Sequence, residues 1–157
     1  MTFQSTLGQL PPTVELLECG GECLAKAHVG YDLEGDKNFW IACGLSPSPL
    51  GPEFFFNLVV TTGDGDEAVI WESDVVAGML TREHRESIRG ALFHTVIQLF
   101  RHADPPAFFM TTYQAYLPDC AVEKYRHLCH LFGRFGYRVG RSDAYHGRVM
   151  WGMERSG

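Results

Sequence analysis

Arg82, Arg85 and Arg89 stand at i, i+3 and i+7 near the start of a helical pattern, so their guanidiniums share one helix face. The open backbone N–H groups of a first helical turn, together with the positive end of the helix dipole, favour an anion at the same place. Three like charges on one face repel unless something negative lies close, which makes this stripe the candidate anion- or cofactor-binding site. His127, His130 and Arg134, with Arg126 beside them, form a second cationic group on the polar side of a later helical pattern. His130 and Arg134 are about one turn apart and can grip an anion together, so these residues are the candidate partner or ligand surface. Plain solvation of a helix face is the competing account of both groups.

Cys19-x3-Cys23, with His28 beyond it, has the residue types of a metal cluster. The spacing is not that of a CxxC knuckle, Gly20–Gly21 is explained by a hairpin turn, and no second Cys/His pair complements it. No metal is assigned, and the cysteines are read as small buried apolar groups. Asp64 and Asp66 sit in a glycine-rich turn that lacks the bidentate glutamate of a calcium loop, Glu67 being too close. No GxSxG, phosphate-loop, GxGxxG or HExxH pattern occurs, so no catalytic residue is assigned.

Ile88, Ala91, Leu92, Thr95, Val96, Leu99 and Phe100 follow the 3.6-residue period and predict an amphipathic helix over about 82–102, with Thr81 as N-cap and Glu83 and Glu86 near its positive end. Asp104-Pro105-Pro106 ends it. A second helix over about 119–135 presents Ala121, Tyr125, Leu128, Phe132 and Phe135 to a core and stops at Gly136. Strands are expected at Val14–Cys19 and Cys23–Val29, at Phe39–Cys43, and at Glu53–Thr62 and Glu67–Glu72 around Gly63-Asp64-Gly65-Asp66. Ala107–Thr112, Tyr137–Gly140 and Arg148–Glu154 complete the set, the last two joined by a turn through Ser142–Gly147. A polar lead, 1–12, left without structure, precedes a single α+β domain over 13–157. That domain is a mostly antiparallel sheet of about 6–8 strands with two helices on one or both faces. Phe54–Phe56 cannot all face one core, because neighbours on a strand point to opposite sides; Phe55, or Phe54 with Phe56, needs a second cover.

A length of 157 residues suits one core, and the 13% aromatic content suits a sheet. Charge is segregated: residues 1–80 hold 2 Lys/Arg against 12 Asp/Glu, and residues 81–157 hold 11 against 7. The boundary coincides with the change of period at Thr81, so acidic strands face cationic helices, and the fields can hold the halves in register or draw a charged partner. The net charge of −6 and the lack of a basic run disfavour nucleic acid. No apolar run approaches the ~20 residues of a membrane span. Five irregularly spaced cysteines and a start without a basic and apolar leader predict a reducing, cytoplasmic setting.

The strand, helix and closing pair of strands over residues 107–154, with the Phe132-x3-Gly136-Tyr137 helix exit, resemble the C-terminal part of the GNAT acyltransferase superfamily. The resemblance covers about a third of the chain, and implies an acyl-CoA cofactor whose pyrophosphate sits on a glycine-rich turn at the start of the preceding helix. That turn is missing between Glu72 and Arg89, where Gly78 and the arginine stripe are the nearest substitutes. The position of the family's proton-donating tyrosine is taken by Phe132, which has no proton to give. The sequence therefore predicts a non-catalytic binding or adaptor domain. It would meet a protein partner, or a second copy of itself, through a charged and aromatic surface, without a cofactor. The alternative is an acyltransferase-like protein with a degenerate acyl-CoA site.

Overall fold

The elements run β1 (Phe3–Ser5), β2 (Val14–Cys19), β3 (Glu22–Asp32), β4 (Asn38–Ser46), β5 (Glu53–Thr61), β6 (Glu67–Val69), α1 (Arg82–Ala103), β7 (Ala107–Tyr113), α2 (Asp119–Arg134), β8 (Tyr137–Arg141) and β9 (Arg148–Arg155). The computed structural model describes residues 2–69, 78–113, 119–142 and 146–155, and only the backbone of residues 113 and 119–123. Residues 70–72 of one expected strand, residues 143–145 of the expected last turn and the Ala121 side chain of the expected helix seam lie outside the described set.

The strands form one nine-stranded, mostly antiparallel sheet in the order β1-β3-β4-β5-β7-β9-β8, with β2 on β3 and β6 on β5. This is the α+β class that the sequence predicts. β5 and β7 meet in parallel, Glu53 opposite Phe109, and the Phe109 N–H donates to Pro52 O at 3.0 Å. The ninth strand is β1, which lies in the polar lead and pairs Phe3 with Asp32 and Ser5 with Gly30. Three residues with one apolar side chain carry no readable period.

The chain clusters into two compact units, residues 1–44 with 56–103, and residues 45–55 with 104–157. In the first, α1 packs on β3. Ala25, Ala27 and Val29 of β3 and Ile88, Leu92, Val96 and Leu99 of α1 are all buried, the small alanines allowing a close approach of the helix. Burial on β3 alternates up to Val29 and then slips by one, with Val29, Gly30 and Asp32 all buried and Tyr31 exposed. Such a slip re-aims the end of a strand as a bulge does. It brings Gly30 beneath Phe3, whose ring meets Phe39 at 5.5 Å and His84 of α1 at 4.9 Å.

Asp32, buried at that corner, accepts from the Thr2 N–H at 2.9 Å and the Glu34 N–H at 3.3 Å. The Thr2 N–H first, then that of Glu34 and the charge of Lys37, hold its carboxyl below the usual range against the opposing cost of burial. A lowered folded-state pKa gives stability that is complete above the unfolded value of about 3.9 and lost as pH falls through the folded one. Asp32→Asn should therefore destabilise the protein at neutral pH, and the gap to the unmodified chain should close as pH falls from about 5 towards 2. Urea denaturation over that range measures it.

In the second unit α2 packs on β8. Phe132 is fully buried among Phe54 and Phe108, with edge-to-face ring centroids at 5.4 and 4.8 Å, and Phe108 meets Tyr137 at 5.0 Å. Phe108 stands opposite Met153 and Val149 opposite Thr112 across the β7–β9 ladder, which places their side chains together on one face. Of the three consecutive phenylalanines, Phe54 is buried in this cluster, whereas Phe55 and Phe56 are half-buried. Phe55, which points to the face opposite Phe54, is thus only partly covered.

Candidate functional site

Thr81 caps α1 as expected: its Oγ1 accepts the His84 N–H at 3.1 Å, while His84 Nδ1 accepts the Thr81 N–H at 3.3 Å. This reciprocal pair resembles a capping box with histidine in the place of glutamate. One of the free donors that would serve an anion is thereby taken. Arg82, Arg85 and Arg89 are all exposed. Arg82 Nε lies 3.2 Å from Glu86 Oε1, so a carboxylate of the same helix supplies the negative neighbour that the stripe requires. The capped start of α1 thus has one open N–H fewer for an anion such as an acyl-CoA pyrophosphate.

On α2, Leu128 and Phe132 face the core, and Arg126, His127, His130 and Arg134 are exposed. Among the described residues no carboxylate lies within ion-pair distance of Arg126, His130 or Arg134. The face is a cationic strip on a helix anchored by large aromatics from below. Opposite charges approaching Arg126 and Arg134 gain from a field that no carboxylate among the described residues cancels at close range.

Two of the described thiols and one phenol are held back from covalent chemistry. Burial pushes the Cys129 thiol up to about 11 and the Cys43 thiol higher still, so neither is a thiolate at neutral pH. Phe132 has no exposed surface. The Tyr137 hydroxyl donates to Pro105 O and accepts from Arg155 Nη2 at 3.0 Å; burial first, with Asp104, raises its pKa against the Arg155 charge. It ties β8 to the residues after α1 and has no free proton to offer.

Cys19, Cys23 and His28 do not come together. Cys23 lies with Ala25 and Ala27 on the buried side of β3, and His28 points to the other side, where its Nε2 lies 2.9 Å from Asn38 Oδ1. Cys19 pairs with Glu22, one position out of phase with Cys23. The side of β3 and β4 opposite the buried Ala25 and Ala27 instead holds a cluster with no motif in the sequence. Lys26 Nζ sits 4.4 Å from the Trp40 ring, the His28 ring lies tilted against it with centroids 4.7 Å apart, and Trp40 Nε1 donates to Thr61 Oγ1 at 3.1 Å. Lys26 also reaches Glu67 at 3.6 Å. With its partners in place, this cluster reads as a polar seal over the sheet. A groove of about 300 Å³ lies between residues 7–12 and Ser87, Gly90, Ala91 and His94 of α1, without a convergent set of polar groups.

One group that no sequence motif announces does converge. Glu18 Oε1 and His102 Nε2 are 2.8 Å apart, and Cys23 Sγ lies with them. A separation of 84 residues between Glu18 and His102 leaves no spacing for a motif to show.

Comparison of the chain with protein families, with curated proteins and with solved structures found no match. Among the described residues no helix is long and apolar enough to cross a membrane.

Proposed function

We propose that the chain is a non-catalytic binding protein that docks an acidic segment of a protein partner on the outward face of α2. The observation that carries this reading is the exposed set Arg126, His130 and Arg134, for which the described residues supply no carboxylate. The buried Cys43 thiol and half-buried Cys129 thiol, a buried phenylalanine at the position where the resemblance asks for an acid, and a tyrosine hydroxyl engaged on both sides agree with recognition without chemistry. A fluorescently labelled glutamate-rich peptide should bind in an anisotropy titration. Arg126→Glu with Arg134→Glu should weaken it by at least about tenfold, and ~0.5 M salt should do the same. Arg82→Glu with Arg89→Glu should leave it unchanged. Equal losses in the two double variants would reduce the effect to net charge and end the reading.

The strand, helix and strand-pair order of residues 107–155 supports a second reading, an acyltransferase-like protein with an altered acyl-CoA site. It requires that millimolar acetyl-CoA raise the melting temperature, as any ligand selective for the folded state does. An unchanged melting temperature removes it.

A further inference from the structure

We infer that Glu18, Cys23 and His102 form a binding site for a thiophilic divalent cation of the zinc class. The three donor atoms, a carboxylate oxygen, a sulfur and an imidazole nitrogen, all lie within 4.8 Å of one another. The fold fixes them from three directions. Gly20 and Gly21, with φ of 60° and 82°, form the two-residue turn that sets Glu18 directly across from Cys23; residues so paired project on the same face of the hairpin. α1 packs on β2 and β3, and its last turn brings His102 over the pair.

Bonds of about 2.0–2.3 Å to a tetrahedral ion place neighbouring donors roughly 3.3–3.8 Å apart. The Glu18–His102 contact therefore opens by somewhat under 1 Å, and the thiol separation closes by at most about 1.5 Å, within the reach of side-chain rotation. Freedom for that rotation exists where it is needed: the side chains of Glu18 and His102 are 69% and 42% exposed, while Cys23 is buried and fixed. The same openness admits a water as fourth ligand. Sulfur and imidazole donors select zinc-class ions over magnesium and calcium, which take oxygen. On binding, a metal–sulfur bond forms as the Cys23 S–H bond breaks, and the proton passes to solvent. The Nε2–H bond of His102 that faces Glu18 also breaks, its proton moving to Nδ1 through solvent, or to solvent if the ring starts as the imidazolium; Nε2 and Glu18 Oε1 then each bond the metal, with no change of oxidation state.

Titration of the reduced full chain with Co²⁺ tests the site. The expected result is saturation at one equivalent, with a thiolate-to-cobalt charge-transfer band that Zn²⁺ displaces. Cys23→Ala should abolish the band, and Glu18→Gln and His102→Gln should each weaken binding by at least about tenfold. Cys19→Ser, which removes the exposed thiol of the same hairpin, should leave both band and affinity intact. Should Cys23→Ala fail to fold, the two exposed positions carry the test. No band at stoichiometric cobalt, a band that survives Cys23→Ala, or binding indifferent to both Glu18→Gln and His102→Gln would overturn the inference and leave an ion pair only.

Discussion

Phe132→Ala should destabilise the protein by about 3–5 kcal/mol, the usual cost of removing a fully buried aromatic ring. Phe132 has no exposed surface and sits between Phe54 and Phe108 in edge-to-face geometry, so its loss removes two ring contacts as well as burial. Its neighbours come from β5 and β7, strands that cannot close over the cavity without giving up ladder bonds. Chemical denaturation measures the loss, with near-ultraviolet circular dichroism reporting the aromatic cluster. Phe55→Ala, at a half-buried position on the same strand as Phe54, should cost clearly less. Equal costs would mean that the second unit does not depend on this cluster.

Gly30→Ala should cost about 1–3 kcal/mol, the range for overpacking a tight site. A Cβ built at Gly30 falls 2.2 Å from Phe3 Cε2 and 2.7 Å from the Gln4 carbonyl oxygen. The ring can turn away, but the carbonyl belongs to the β1 backbone and can yield only if that strand moves. The expected signature is therefore local: amides of residues 3–6 should exchange faster, while α2 keeps its protection. Phe3→Leu in the same chain should recover part of the loss by relieving the ring contact, leaving the carbonyl contact in place. Unchanged exchange at residues 3–6 would place the strain elsewhere.

The two helices are legible in the sequence because their apolar residues recur at one period over several turns, and the capping threonine and stopping glycine stand at the expected ends. The β2–β3 hairpin is legible from Gly20–Gly21 for a similar reason: only a narrow set of residues tolerates two positive φ angles in succession. β1 is not, since Phe3 acquires meaning only from the glycine beneath it twenty-seven positions away. The arginine stripe is exposed, as helix spacing implies, yet Glu86, four residues after Arg82, stands in plain view as its counter-charge; the same spacing is enough to find it. Nothing in the sequence joins Glu18 to His102, because the strand order and the packing of α1 create that contact.

Recognition of an acidic partner by α2 is tested most directly by mapping backbone amide shifts of the labelled protein during titration with a glutamate-rich peptide. The account predicts that the largest changes fall on residues 126–134 and fade as salt is raised. Changes centred on residues 82–89, or no saturable change on α2, would contradict it.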